Sequence, residues 1–143
     1  MKELGKIVVI EGSDSSGKEV QSSRLRDALT NQGYSVRFLD FPRYDQFFGK
    51  VVGRYLAGEF GDVFEVHPVL SAFPYALDRF ELKDTILRSV DNGDIVVCNR
   101  YVGSNLAHMS AKLPEEEREA YIKWLEEFEY GRLGIPKESV SVF

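Results

Sequence analysis

Residues 11–23, EGSDSSGKEVQSS, carry the spacing of a phosphate-binding loop. Gly12, Gly17 and Lys18 satisfy the pattern G-x-x-x-x-G-K directly after an apolar run that predicts a strand. Glycines at these positions let backbone N–H groups surround phosphate oxygens, and the lysine adds a mobile positive charge. The pattern and its context therefore predict that this stretch binds nucleotide phosphates. The loop residues expected at the phosphates are Gly12, Ser13, Asp14, Ser15, Ser16, Gly17, Lys18 and Glu19.

Glu19 departs from the usual form of this loop. A serine or threonine hydroxyl ordinarily follows the lysine and binds Mg²⁺. A carboxylate is itself a good Mg²⁺ ligand, directly or through a water molecule, but it also repels phosphates. The residue types alone leave both alternatives open for Glu19.

Three arginines lie near the predicted ends of strands or in helical turns. Arg43 follows the second predicted strand in DFPRY, Arg79 lies in YALDRF, and Arg100 follows the third predicted strand in CNRY. Ligands of open α/β sheets bind beyond the carboxyl ends of the strands, so we expect Arg43 and Arg100 near Lys18. Two guanidinium groups there would hold an acceptor phosphate bidentately. For any one arginine, a surface salt bridge is the alternative.

Short apolar runs predict the strands. KIVVIE is a short, β-branched and continuously apolar run, as expected of a strand buried on both faces of a parallel sheet. YSVRFLDF is predicted as a second strand and DIVVCN, introduced by the turn-like DNGD, as a third. Helical segments separate them, which favours a doubly wound α/β fold with right-handed crossovers. The final residues, SVSVF, have the pattern of a fourth strand at its beginning. We therefore expect a domain that is incomplete at its C-terminus.

The helices are predicted from apolar spacing and from proline and glycine positions. One helix is expected over residues 18–32, with Gly33 as a left-handed cap. A second is expected to begin at His67-Pro68, to be kinked or interrupted at Pro74, and to continue through AFPYALDRFELKDTILRSV.

Another helix is expected after Pro114, where three glutamates complement its positive end. Its apolar residues recur at i, i+3, i+4 and i+7 and should face a core. They are Tyr121, Trp124, Leu125 and Phe128. The seven glutamates of LPEEEREAYIKWLEEFEYG are expected on a solvated helix face.

Composition favours one cytoplasmic domain over residues 1–143. The net charge of −5, from 23 acidic and 18 basic residues, argues against nucleic acid as a partner. No apolar run approaches the ~18 residues that a membrane span requires, and the N-terminus lacks a signal-peptide core. Cys98, the only cysteine, lies in an apolar run and is expected to be a buried thiol in a reducing compartment.

Several of these motifs together resemble one family. EGSDSSGK, FPRY, YALDR, NRYVGSN and EYGRLGIPK occur in the order and spacing of thymidylate kinases, and the resemblance extends through all 143 residues. It implies a three-layer P-loop kinase fold with a central parallel sheet and phosphoryl transfer from ATP, with Mg²⁺, to dTMP. It also suggests a homodimer formed through helices. GTPases generally carry an Asn-Lys-x-Asp motif, which does not occur here.

The resemblance implies roles for individual residues. Asp14, Lys18 and Arg100 match catalytic positions, and Asp14 and Glu19 would lie near Mg²⁺. The residues implied at the acceptor nucleotide are Asp14, Phe41, Arg43, Tyr44, Tyr75, Arg79, Arg100, Ser104 and Asn105.

Three of the acceptor residues match positions that recognise the base. Tyr75 would stack on thymine, Arg79 would bind a thymine carbonyl, and Asn105 would pair with the imide edge. His108 falls near the position of a sugar-contacting side chain, with a purely structural role as the alternative.

The sequence also departs from the family pattern. Asn99 stands where many thymidylate kinases have an aspartate. Some relatives carry an arginine in the phosphate loop, where Ser15 and Ser16 stand here, so arginines of a mobile lid would be required. The family's lid and adenine-binding segments do not occur in these residues. A non-catalytic nucleotide-binding relative, or a kinase of another nucleoside or nucleotide, therefore remains as an alternative.

Overall fold

The computed structural model describes residues 3–13 and 17–143, and its internal contacts divide the chain into two compact units. The first unit comprises Met1–Phe41, Leu82–Tyr101 and Pro136–Phe143. The second unit comprises Pro42–Glu81 and Val102–Ile135. The single domain expected over residues 1–143 stays a prediction.

The first unit contains a four-stranded parallel sheet. Its strands are β1 (Lys6–Ile10), β2 (Val36–Asp40), β3 (Ile95–Asn99) and β4 (Val140–Val142), in the order β2-β3-β1-β4. The helix α1 (Lys18–Asn31) packs on β1, β2 and β3. The α/β class, the parallel sheet and the fourth strand at the end of the sequence are thus confirmed.

Apolar residues of the central strands form the core of the first unit. Val9, Val96, Val97 and Cys98 are fully buried, and the sequence predicted a buried thiol at Cys98. Gly33 ends α1 with a φ of 91°, a left-handed conformation that glycine adopts at little cost. Both predictions are confirmed.

The second unit is helical. The sequence did not predict α2 (Phe47–Leu56), because two glycines within FFGKVVGRYL weaken its helix propensity. The helix α3 (Pro68–Glu81) packs against α2 and also against α5 (Val102–Ser110), which in turn packs against α6 (Glu115–Glu126).

Of the two effects predicted for Pro74, the interruption of the helix is wrong, and the kink stays a prediction. α3 continues through Pro74 to Glu81, and a turn at Leu82 separates it from α4 (Lys83–Asp91), which packs on β3 of the first unit. Pro74 removes one helical hydrogen bond, but the helix buries Ala72 and Ala76 completely, and that packing outweighs the loss.

The apolar stripe after Pro114 faces a core, as predicted. Tyr121 and Leu125 are buried, and Trp124 and Phe128 pack against the same cluster. No helix among the described residues is long and apolar enough to cross a membrane.

One glutamate of the acidic segment contradicts the prediction of a solvated face. Six of the seven glutamates are exposed, but Glu129 is completely buried. A π-helical segment, Glu127–Arg132, follows α6 and changes the helical register. Glu129 follows the buried Leu125 by four residues and so lies on the face of the apolar stripe, but its charged side chain argued for exposure.

Candidate nucleotide site

The phosphate loop of the first unit joins β1 to α1. Gly17 precedes the helix with a φ of 85°, a conformation that favours glycine. Lys18 begins the helix with 8% of its surface exposed, and its Nζ lies 3.5 Å from the carbonyl oxygen of Ser13. The predicted loop residues Asp14, Ser15 and Ser16 lie outside the described residues.

Charged side chains of the first unit meet at the ends of β2 and β3. Asn99 Nδ2 donates a hydrogen bond of 3.0 Å to Asp40 Oδ1. Partial burial raises the pKa of Asp40, the Asn99 hydrogen bond opposes that rise, and the charge of Glu19 adds to it. The positive charges of Lys18 and Arg100 act in the opposite direction. Glu19, Lys18 and Arg100 therefore all act on the charge of Asp40.

The oxygen atoms of this environment are suited to Mg²⁺. Asn99 is 3% exposed, and its Oδ1 has no hydrogen-bond partner among the described residues. Asp40 and Glu19 add carboxylate oxygens. The described residues contain no cluster of three or more acidic, histidine or cysteine side chains that could hold a metal. Mg²⁺ usually takes one or two carboxylates together with substrate phosphates and waters, so this set fits it.

Arg100 has an unusual backbone conformation. Its φ of 64° is the only positive value among the described non-glycine residues. The Arg100 N–H donates to the carbonyl oxygen of Ile10, and the next N–H, of Tyr101, donates to Glu11 Oε1 at 3.0 Å. These bonds fix the chain at the end of β3 and overcome the strain at Arg100.

Arg43 of the second unit is bound to Asp78. Its Nε donates to Asp78 Oδ1 at 3.0 Å, its Nη2 donates to the Asp78 carbonyl oxygen at 2.9 Å, and its backbone N–H donates to Asp78 Oδ2 at 2.8 Å. Burial raises the pKa of Asp78, and Arg43 opposes that rise. Arg43 therefore orders the backbone before α2, and its predicted contact with an acceptor phosphate stays a prediction.

A buried polar cluster formed by Arg79, Asn105 and Glu129 lies in the second unit. Arg79 Nε donates to Glu129 Oε1 at 2.7 Å, and Arg79 Nη2 lies 2.6 Å from the same oxygen. Asn105 Nδ2 donates to Glu129 Oε2 at 3.1 Å and to the Ala72 carbonyl oxygen at 3.2 Å. All three side chains are at most 3% exposed.

Two polar atoms of this cluster lack a hydrogen bond. Neither Arg79 Nη2 nor Asn105 Oδ1 has a hydrogen-bond partner among the described residues, although Arg79 Nη2 is ion-paired with Glu129. One atom is a donor and the other an acceptor. Buried polar groups without partners are rare, because each costs roughly 1–3 kcal/mol. A ligand edge that presented one acceptor and one donor would complement these two atoms.

The remaining predicted residues are divided between the units. Phe41 is buried in the first unit, with its ring centroid 6.2 Å from that of Tyr101. In the second unit, Tyr75 is half-buried with its ring edge-to-face against Tyr55, and Tyr44 is 54% exposed. The residues Ser104, half-buried, and His108, exposed, lie on α5.

Sequence reasoning missed Asp40, Asp78 and Glu129. Asp40 could have been found, because the strand-end argument used for Arg100 applies equally to the last residue of β2. Glu129 lies within EYGRLGIPK, one of the quoted family motifs, and four residues after Leu125 of the apolar stripe, so the helical spacing could have indicated its burial.

The chain matches known proteins over most of its length. A family model described as thymidylate kinase matches residues 10–123. Thymidylate kinase of Mycobacterium tuberculosis is 36% identical over 138 residues, which are 95% of this chain and 64% of that protein. The human thymidylate kinase is 30% identical over 139 residues, covering 97% of this chain and 60% of that protein. The chain thus spans less than two thirds of the length of these relatives.

The fold has a solved counterpart. The structure of thymidylate kinase from Candida albicans aligns with a TM-score of 0.78 over 99% of this chain and 63% of that chain, at 22% identity. This similarity shows a shared fold, in agreement with the expected P-loop kinase fold. The matches in sequence and fold together establish that the chain belongs to the thymidylate kinase family.

Proposed function

We propose that this protein transfers the terminal phosphoryl group of ATP to dTMP, giving ADP and dTDP. Family membership supports the reaction class, and two local arrangements support the roles of the residues. One is the phosphate loop with its strand-end charges in the first unit. The other is the Arg79–Asn105–Glu129 cluster in the second unit, and this cluster is the observation that carries the choice of a thymine nucleotide.

The first unit would hold and neutralise phosphates. Lys18 and the amides of the loop would bind the donor phosphates, and Arg100 would bind the acceptor phosphate. Mg²⁺, when bound, would neutralise charge on the phosphates, with Asp14 and Glu19 as proposed ligands and Asn99 Oδ1 as an additional oxygen. Because the transferring phosphoryl group needs little covalent chemistry from the protein, positioning and charge stabilisation would supply the rate.

The second unit would recognise the base. The imide edge of thymine presents a carbonyl acceptor next to an N3–H donor. Arg79 Nη2 would donate to the carbonyl, and Asn105 Oδ1 would accept the N3–H, so that both buried atoms gain partners. Tyr75 would stack on the ring.

An acceptor screen tests this proposal. With ATP and Mg²⁺, we expect ADP formation that depends on dTMP and exceeds that with dCMP, dGMP or thymidine. Preference for an unphosphorylated nucleoside would instead identify another kinase. Tight dTMP binding by calorimetry without turnover would identify a non-catalytic nucleotide-binding protein.

The position of Glu19 offers a test of metal binding. Glu19→Thr restores the hydroxyl that ordinarily follows the lysine of the loop. We expect the variant to keep or raise Mg²⁺-dependent turnover and to keep Mn²⁺ binding in the presence of ATP, measured by electron paramagnetic resonance. A large loss of both would show that the carboxylate itself is required.

The same proposal includes the cellular location, the ligands and the oligomeric state of the protein. We propose a cytoplasmic enzyme with small nucleotides as its ligands rather than nucleic acid, consistent with the net charge of −5. Assembly into a homodimer follows from the family resemblance, and sedimentation velocity would measure it.

A further inference from the structure

Glu129 is a buried acid that touches both polar side chains of the cluster through its two different oxygens. Oε1 accepts from Arg79, and Oε2 accepts from Asn105. The side chain of Glu129 is completely buried. The backbone carbonyl oxygen of Glu129 accepts a hydrogen bond of 2.9 Å from the N–H of Ile135. The acid therefore has a fixed place from which it can act on the orientation of the Asn105 amide.

The side-chain amide of Asn105 has two possible orientations, which exchange its donor and acceptor ends. In the observed orientation both N–H groups have acceptors, the Ala72 carbonyl oxygen and Glu129 Oε2. The reverse orientation would place Oδ1 against these two oxygens and lose both bonds. An ionised glutamate only accepts hydrogen bonds, so it admits the first orientation alone.

We propose that Glu129 is a positioning residue that sets the polarity with which the second unit recognises a pyrimidine. By holding the NH₂ group of Asn105, it leaves Oδ1 as an obligatory acceptor. The base that fits must carry a donor at N3, as thymine and uracil do. A pyrimidine whose N3 is an acceptor leaves two acceptors facing each other. This inference rests on the proposed recognition of dTMP by the same cluster.

Glu129→Gln tests the proposal by replacing one carboxylate oxygen with an NH₂ group. The amide oxygen of the substituted side chain would stay on Arg79, because a hydrogen bond to a buried cation is stronger than a neutral one. Its NH₂ group would then face the NH₂ group of Asn105 and oppose the observed orientation, which only the Ala72 carbonyl oxygen would still favour. The reversed amide, which presents a donor to N3 of the base, would therefore become populated. Glu129→Asp keeps a carboxylate, and Glu126→Gln removes the same charge from an exposed position of α6.

The readout is a ratio of affinities measured by calorimetry. The probes are dUMP and the 2′-deoxynucleotide of pyrimidin-2-one, whose N3 is an acceptor and whose C4 carries only hydrogen. We expect the wild-type chain, Glu126→Gln and Glu129→Asp to prefer dUMP, and Glu129→Gln to lower that preference about tenfold or more. A Glu129→Gln variant that loses affinity for both probes equally would overturn the proposal and reduce Glu129 to a structural role.

Failure of the proposed function has a different result. If the wild-type chain binds neither dTMP nor dUMP, the recognition of thymine nucleotides is wrong. If it binds both and the ratio does not respond to Glu129→Gln, only the role of Glu129 is wrong.

If Glu129→Gln does not fold, a measurement on the wild-type chain still tests the proposal. Side-chain amide protons of ¹⁵N-labelled Asn105 can be assigned by their disappearance in Asn105→Asp. We expect both protons to exchange with solvent much more slowly than those of the exposed Asn31 and Asn92. Fast exchange of either proton would contradict the orientation on which the proposal depends.

Discussion

Arg100 combines a left-handed backbone conformation with a side chain in the electrostatic environment of Lys18 and Asp40. A residue other than glycine at positive φ costs on the order of 1 kcal/mol. The hydrogen bond from the Arg100 N–H to the Ile10 carbonyl oxygen helps to maintain this conformation. Such strain is found where the position of a side chain matters. At the scale of single residues, the first unit therefore holds Arg100 in a backbone conformation that costs stability.

Two substitutions distinguish the effect of the Arg100 side chain on binding from the effect of its backbone conformation on stability. Arg100→Ala and Arg100→Gly should both weaken dTMP binding much more than thymidine binding, because each removes the proposed phosphate ligand. Arg100→Gly should be more stable than Arg100→Ala by about 1 kcal/mol, because glycine relieves the strain at positive φ. Calorimetry and urea unfolding measure the two effects, and equal weakening of both ligands would exclude a phosphate contact.

Asp78 should make stability depend on pH. Its pKa in the folded protein is raised above 3.8, mainly by burial, so its favourable contribution is complete below pH 3.8. That contribution is lost as the pH rises through the folded pKa. Urea titrations of the wild type and of Asp78→Asn give the difference between their free energies of unfolding. That difference, wild type minus variant, should decrease as the pH rises from about 3.

Arg43 provides the control for this effect. Arg43 lowers the pKa of Asp78, so Arg43→Met should raise it further and extend the decrease to higher pH. The free energy of unfolding of Arg43→Met is compared, at each pH, with that of the double variant Arg43→Met/Asp78→Asn. If the difference in free energy of unfolding stays constant or grows as the pH rises, the pKa of Asp78 is not raised in the folded protein.

At the scale of elements, a close backbone contact holds the segment before α2. A Cβ atom at Gly49 would lie 1.7 Å from the carbonyl oxygen of Arg43, so only glycine fits there. At Gly53, one turn along the same helix, the nearest atom would be a Tyr44 ring carbon at 3.7 Å. The two glycines therefore differ in their surroundings although both interrupt the helical pattern.

Alanine substitutions at these glycines should have opposite effects. Gly49→Ala should lower the free energy of unfolding by about 1–3 kcal/mol, because the Arg43 backbone must move. Gly53→Ala should raise it by up to about 1 kcal/mol, because alanine favours the helix. Urea unfolding measures both, and a stabilised Gly49→Ala would show that the contact is not rigid.

At the scale of the whole molecule, a ligand that binds only the folded chain raises its stability by mass action. Free dTMP at about 100 times its dissociation constant should stabilise the protein by about 2.7 kcal/mol. We expect a rise in melting temperature with dTMP and a much smaller one with dCMP, measured by calorimetry. Equal shifts for both nucleotides would contradict recognition of the imide edge, whether or not the chain turns over.

Much of the fold could be predicted because it depends on local pattern. The three apolar strands, α1 with its glycine cap, and the helix after Pro114 each follow from residues close in sequence. α2 was missed because its glycines obscure the helical period, and its packing against α3 stabilises it. Pro74 was misjudged because the packing of α3 outweighs one lost hydrogen bond.

The phosphate loop can be predicted from residues 11–23 alone, since glycine spacing, lysine and a preceding strand are local requirements for binding phosphate. The motifs also predict roles for Arg79, Arg100 and Asn105, and these roles stay predictions. The hydrogen bonds between polar groups, in contrast, became known from the folded structure. Asp40 joins Asn99 across neighbouring strands, and Glu129 joins Arg79 and Asn105 from 50 and 24 residues away. Hydrogen bonds between distant residues depend on how the elements pack, and no local pattern records that.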